Sequence, residues 1–235
     1  MIKVVLLDID NTLLDFDAYI STSLKEGFER FGLGYFDEGR MEIFKTENRR
    51  IWHELELGEL TYGELLKTRF NRIFALMGVD FDGEVFEKYF KDRLYDCAIP
   101  VDGAFELLEH LKGRYTLCVA SNGPVGQQIN RLKISGMLGY FKHLFISEGI
   151  GTQKPSAGFF DHCMREINAA RATEGADPLE KDEVMMVGDS LSSDIKGACG
   201  YGIPCIFYDR SGKGDTKGLC PDYTVKNLTD ICDIL

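Results

Sequence analysis

Positive charge is in short supply in this sequence. Lysine and arginine number 27 against 38 aspartates and glutamates, a formal charge of −11 over 235 residues. So acidic a chain repels polyanions, which argues against a nucleic-acid polymer or an anionic membrane as partner unless a basic patch dominates locally. No such patch is visible: Arg49 and Arg50 sit beside Glu47 and Glu54, as on a solvated helix face. Paired-cysteine signatures are missing too. Cys97, Cys118, Cys163, Cys199, Cys205, Cys220 and Cys232 form an odd set with no C-x-x-C and no metal-ligand spacing. Cys118 lies in the apolar run Leu117-Cys118-Val119-Ala120, so reduced, buried thiols in a cytoplasmic protein are expected. No stretch approaches the roughly 20 apolar residues of a membrane span. The chain's start enters an apolar strand without the h-region or cleavage site of a leader. Histidine is sparse: His53, His110, His143 and His162 fall in separate helical or strand patterns and read as structural or surface residues.

What is present suits a globular protein, with 44% apolar and 28% charged residues. The length allows one large domain or two smaller ones. Val4 to Leu7 form a short apolar run suited to a strand buried on both faces. Asp8, Asp10 and Thr12 follow at once. An apolar strand that turns acidic at its carboxyl end delivers polar chemistry to the edge where open α/β sheets bind ligands. Two carboxylates so close would push one pKa upward unless a cation intervened, so the pair reads as a metal site, an acid–base pair, or both.

From Asp15 to Asp96 the pattern becomes helical. Segments 18–31, 41–57, 62–77 and 85–94 carry apolar residues at three and four spacing, broken at Gly32, Gly34, Gly58 and Gly78. A bundle of about four helices is expected over residues 15–97, with Trp52 as its core anchor. After Pro100, strands and helices alternate, with strands at 115–120, 144–147, 184–187, 204–208 and 223–225. This predicts an α/β fold: a doubly wound parallel Rossmann-like sheet built from residues 1–14 and 98–235, interrupted by the helical insert.

Reactive side chains recur where those strands end: Asp8 and Asp10, then Ser121, then Lys154 in a strand loop, then Asp189 with Asp194. Gathered on one sheet edge, the four aspartates would repel one another, by about 4 kcal/mol per pair at about 4 Å and an effective dielectric near 20. A divalent cation relieves this, and an all-oxygen ligand set without His or Cys favours Mg²⁺.

These residues resemble the motifs of the haloacid dehalogenase-like hydrolase superfamily, whose members are mostly phosphatases. The match is D-x-D-x-T at Asp8 to Thr12, Ser121, Lys154, and G-D-x-x-x-x-D at Gly188 to Asp194. The resemblance implies that Asp8 is a nucleophile that becomes phosphorylated, and that Asp10 protonates the leaving alkoxide and then activates water. Mg²⁺ would be held by Asp8, the Asp10 carbonyl and Asp189. Ser121, with Asn122 beside it, and Lys154 would bind phosphate, with Asp194 and Thr12 in supporting positions. The helical insert resembles the cap of this superfamily, which implies that substrate choice lies within residues 15–97. Phe16, the 48–52 stretch containing Trp52, residues 58–61, Arg69-Phe70 and residues 146–151 look like the pyrimidine 5′-nucleotidase branch. Phe16 and Trp52 are then substrate-side candidates, and the partner is a small phosphorylated metabolite such as a nucleoside monophosphate. A phosphoglycolate or sugar-phosphate phosphatase would share every core residue. A haloacid dehalogenase needs neither Asp10 nor Asp189, and a non-catalytic Mg²⁺-binding module would lack turnover. Residues 219–235 could pack on the sheet edge or support a dimer, so both monomer and homodimer remain open.

Overall fold

The alternation of short apolar runs with amphipathic segments produces the expected order of elements. A computed structural model describes residues 1–235 apart from the side chain of Glu56. Strand β1 (Val4–Leu7) leads into four helices, α1 (Phe16–Phe31), α2 (Glu38–Glu56), α3 (Tyr62–Met77) and α4 (Gly83–Tyr95). Helix α5 (Ala104–Leu111), β2 (Thr116–Ser121), α6 (Val125–Ile134), β3 (His143–Ile146), the single-turn α7 (Ser147–Ile150) and α8 (Ala157–Thr173) follow. The chain ends with β4 (Val184–Gly188), α9 (Lys196–Tyr201), β5 (Cys205–Tyr208), β6 (Tyr223–Val225) and a 3₁₀ segment, Leu228–Asp233. The chain folds as two compact units, one of residues 1–16 with 98–235 and one of residues 17–97.

In the first unit six parallel strands run in the order β3-β2-β1-β4-β5-β6. All four β1 residues are buried, and the period of two sends them to opposite layers. Val5 and Leu7 pack with Leu107, Leu108 and Leu111 of α5 and with Leu228 and Ile231. Val4 and Leu6 pack with Phe159, Phe160 and Cys163 of α8. Truncating Leu6 or Leu7 to alanine in such a layer costs about 2–5 kcal/mol. β1 pairs with β2 on one side (Val4 with Thr116) and with β4 on the other (Val4 with Val184). The winding reverses between β1 and β4, and a ligand crevice forms outside the carboxyl ends of strands at such a point.

The two chain segments of this unit are stitched together by Val101 N–H donating to Leu13 O at 2.9 Å and Asp15 N–H donating to Ile99 O at 2.7 Å. The carboxyl-terminal segment packs inward rather than standing off the sheet, with Leu228, Ile231 and Leu235 in the α5 layer. The cysteines are thiols rather than disulfides, and Cys118, Cys163 and Cys205 are buried. Among the described residues no helix is long and apolar enough to cross a membrane.

The second unit is an aromatic-cored helical bundle. Phe28, Phe70, Phe74 and Phe86 stack edge-on or tilted at centroid distances of 4.7–6.0 Å. Trp52 is not the anchor that its helical spacing suggested. It is half-buried, 6.4 Å from the Tyr62 ring. The neighbouring Ile51, with Phe44, takes the buried stripe of α2, leaving Trp52 about 100° around the helix. A buried ion pair crosses the bundle, with Arg69 Nε and Nη2 donating to Glu87 at 2.7 and 2.5 Å.

Candidate active site

The carboxyl edge of the sheet gathers its side chains because β1, β2 and β4 end in register and turn polar together. Past β1, Asn11 adopts a left-handed φ of 62°, which asparagine tolerates better than most residues. The turn closes as Leu13 N–H and Leu14 N–H both donate to Ile9 O, at 2.8 and 2.9 Å. This returns Thr12 over the strand end, where its hydroxyl donates to Asp8 Oδ2 at 3.2 Å.

Lys154 is 1% exposed, and its ammonium is the hub of the cluster. Nζ donates to Asp8 Oδ1 at 2.8 Å, to Asp194 Oδ1 at 2.6 Å and to the Ala120 carbonyl. The Asn122 amide, expected on phosphate, clasps the Lys154 backbone: Nδ2 donates to its carbonyl at 2.8 Å and Oδ1 accepts from its N–H at 2.9 Å. The tip of β2 thereby holds the loop that carries the lysine. Asp194 is fully buried on a five-residue π-helical turn, Leu191–Ile195, a distortion frequent at functional sites. Its Oδ2 accepts from Ser190 N–H at 3.0 Å. It lies so close to β4 that a Cβ at Gly188 would be 2.2 Å from Oδ2. Only glycine admits that approach.

Carboxylate oxygens of Asp8, Asp189 and Asp194 lie within 4.8 Å of one another. Three carboxylates against one ammonium leave two negative charges uncompensated. The electrostatics register that excess. Burial pushes Asp8 up to about 7, the Lys154 ammonium opposing and Asp194 and Asp10 adding to the rise. Burial, then the charges of Asp8 and Asp194, also push Asp189 well above the usual carboxylate range. Burial alone would lower Lys154, but Asp194 and Asp8 outweigh it and keep the amine protonated. An all-oxygen, charge-deficient pocket of this kind fits a hard divalent cation. Asp194 is completely buried, whereas Asp8 keeps slight exposure and Asp189 is partly exposed, so Asp8 and Asp189 are the carboxylates best placed to face one.

The Asp10 carboxylate lies outside that cluster and is bound by α6. Arg131 Nη1 donates to Oδ1 at 2.5 Å and Gln128 Nε2 to Oδ2 at 2.7 Å. Gln128 also donates to Ser121 Oγ at 2.9 Å. Phe16 is half-buried with its ring centroid 6.0 Å from the Arg131 guanidinium carbon. Thus Asp8, Thr12, Lys154, Asp189 and Asp194 converge, with Asp10 and Ser121 joined through Gln128. Sequence reasoning passed over Gln128 and Arg131. A signal was available in part: Gln128 stands four residues before the core residue Leu132 on one helix face, where a polar residue is out of place, and Arg131 follows Gln128 at a spacing of three.

The haloacid dehalogenase-like hydrolase family model matches residues 2–200, and the chain belongs to that family. It is a hydrolase fold with the four motif segments on one sheet edge. Among its relatives, pyrimidine 5′-nucleotidase PynA of Streptococcus pneumoniae is 33% identical over 99% of this chain and 94% of its own. Pyrimidine 5′-nucleotidase YjjG of Escherichia coli is 27% identical over 98% of this chain and 96% of its own. Such nucleotidases are phosphoric monoester hydrolases. A crystal structure of the HAD-hydrolase YfnB of Bacillus subtilis, described as bound to magnesium, superposes with a TM-score of 0.87 at 29% identity, covering 100% of this chain and 98% of its own.

Proposed function

We propose that this protein is a Mg²⁺-dependent phosphomonoester hydrolase working through an aspartyl-phosphate on Asp8, with pyrimidine nucleoside 5′-monophosphates as substrates. The observation that carries the reading is the buried Asp8–Lys154–Asp194 cluster beside Asp189, which sets a carboxylate against an ammonium that offsets part of its negative charge. A carboxylate attacks a phosphate dianion only once their repulsion is removed. Bound between Asp8, Asp189 and the Asp10 carbonyl, Mg²⁺ would supply the remaining positive charge.

The chain's own groups then divide the work. Asp8 attacks phosphorus, and the P–O bond to the alcohol breaks as Asp10 delivers a proton to the departing oxygen. Lys154 offsets charge on Asp8 and on the transferring phosphoryl, and Ser121 donates to one of its oxygens. In the second half Asp10 takes a proton from water, whose oxygen attacks the phosphorus of the aspartyl-phosphate and releases Asp8 and inorganic phosphate. Asp194 holds Lys154 in place, and Thr12 orients Asp8. A dehalogenase reaction uses no acid for its leaving group, so the elaborate support of Asp10 favours ester hydrolysis. The nucleotide assignment rests on the two nucleotidase relatives. Leaving-group choice is assigned to residues 15–97, because the groups just named are indifferent to the alcohol. A cytoplasmic location is proposed from the free thiols.

The test is steady-state hydrolysis of UMP, dUMP, dTMP, phosphoglycolate and hexose phosphates with Mg²⁺ and with chelator. Multiple turnover should require Mg²⁺ and favour the nucleotides, and Asp8→Asn should abolish it with folding intact. Near wild-type turnover by a pure Asp8→Asn sample refutes the mechanism. A preference for hexose phosphates or phosphoglycolate refutes the substrate class alone.

A further inference from the structure

Two polar side chains of α6, Gln128 and Arg131, are each only 1% exposed, and the mechanism above leaves both without a task. Burying a guanidinium is costly unless an anion and hydrogen-bond acceptors compensate it. Here the anion is Asp10, at 2.5 Å from Nη1. The residues are three apart, so they share one face and act on the same target.

Their chemistry dictates a single orientation. Arginine donates and never accepts, so the amide oxygen of Gln128 must face it, and Arg131 Nη1 meets Oε1 at 3.0 Å. The amide nitrogen is thereby turned toward Asp10 Oδ2 and Ser121 Oγ, at 2.7 and 2.9 Å. Ser121 consequently accepts from Gln128, leaving its own hydrogen to be donated elsewhere. Gly123 keeps this route open, since a Cβ there would lie 2.7 Å from Gln128 Nε2. The Asp10 side chain is 32% exposed, enough to sample several rotamers if nothing restrained it. With one donor on each oxygen, both from one helix, it is restrained.

We propose that Gln128 and Arg131 are positioning residues that set the Asp10 carboxylate in register with the Ser121 hydroxyl. The phosphoryl donor and the proton-transfer group then meet the same ester from a shared support. Arg131 acts at one remove on Ser121 by fixing which end of the Gln128 amide points inward. The inference rests on the reading of Asp10 as the acid–base group. A displacement of Asp10 by about 1 Å is enough to cost on the order of 10²-fold in rate. That loss should fall on the proton-dependent part of the reaction.

The experiment compares phenyl phosphate with p-nitrophenyl phosphate, near-identical in shape but unequal in their need for a proton on the departing oxygen. Single-turnover phenol release and steady-state constants are measured with Mg²⁺ for the wild type, Arg131→Met, Arg131→Lys, Gln128→Met and Gln128→Glu. Arg131→Met should slow phenol release about 10²-fold and p-nitrophenol release about tenfold less, with KM changed less than about threefold. Arg131→Lys should recover part of the loss. Gln128→Glu should be slower than Gln128→Met, because it sets a carboxylate against Asp10 and reclaims the Ser121 hydrogen. Equal losses on the two esters, or variants all within about threefold of wild type, overturn the proposal. If Arg131→Met does not fold, the glutamine pair, which removes no positive charge, decides the question alone. Asp8→Asn separates the two levels. Turnover surviving in that variant overturns the nucleophile assignment, whereas a dead Asp8→Asn beside unaffected Arg131 and Gln128 variants overturns only the positioning role.

Discussion

Replacing Gly188 by alanine should damage both the stability of this protein and its candidate site. The added Cβ would sit 2.2 Å from Asp194 Oδ2 and 2.5 Å from its carboxyl carbon, well inside contact distance. Asp194 cannot retreat freely, because Oδ1 is 2.6 Å from Lys154 Nζ and Oδ2 is 3.0 Å from Ser190 N. Displacing it by about 1 Å overpacks the site, at about 1–3 kcal/mol. It also weakens a buried ion pair, whose outright loss costs about 3–5 kcal/mol. Against this stands only the entropy that alanine removes from the unfolded chain, about 0.4–1 kcal/mol. The clash wins, and a net loss of about 3–4 kcal/mol is expected, out of a typical total of about 5–15. Urea unfolding measures the loss, and phosphatase turnover should fall with it as Lys154 shifts. Gly200→Ala is the control. Nothing lies within 4 Å of its would-be Cβ in α9, so it should be neutral or stabilising by up to about 1 kcal/mol. Native stability and native turnover in Gly188→Ala would refute the packing argument.

Chelated protein should lose stability as the pH rises from about 4 to about 7, since burial pushes Asp8 from 3.8 up to about 7 and raises Asp189 in the same direction. The sign follows from linkage: between those values the folded state holds protons that the unfolded chain has released. Thermal melts with EDTA should show the decline and melts with Mg²⁺ should flatten it; a chelated melting point that climbs over this range contradicts the charge assignment. In the helical unit, Glu87→Leu should cost about 3–5 kcal/mol by stranding the buried Arg69, and adding Arg69→Met should restore most of that in urea titrations. If the single and double variants are equally unstable, the ion pair is not what the loss reflects.

The sheet was legible because its strands are short apolar runs bounded by turn residues. Val184 to Val187 reads as a buried strand and is one, extended by Gly188. Helix α3 runs over the expected 62–77, where a Thr61–Glu64 capping box marks its start and Gly78 its end. The acidic strand ends were legible for the same reason. Burial was harder to read. Lys154 before a proline looks like an ordinary loop lysine until three separate chain segments enclose it. Gln128 and Arg131 look like solvated helix residues because their carboxylate lies 118 and 121 residues away. Trp52 misled because periodicity identifies a stripe but not which neighbour occupies its centre. The single turn α7 was too short for any period to register, although its Glu148 accepts from Val125 N–H at the start of α6.

The central position of β1 has a bearing on how the molecule is made. Its second edge is closed only by β4, with Val4 opposite Val184, about 180 residues later in synthesis. At about 5–20 residues per second, a ribosome needs roughly 10–40 s to supply that partner. Until then the Val-Val-Leu-Leu strand keeps one open edge even after β2 has closed the other, the kind of edge that chaperone holdases shield and that self-associates when they are scarce. Asp8 is therefore translated long before the strand that completes its surroundings, and a product cut short ahead of β4 lacks Asp189 and Asp194 beside it.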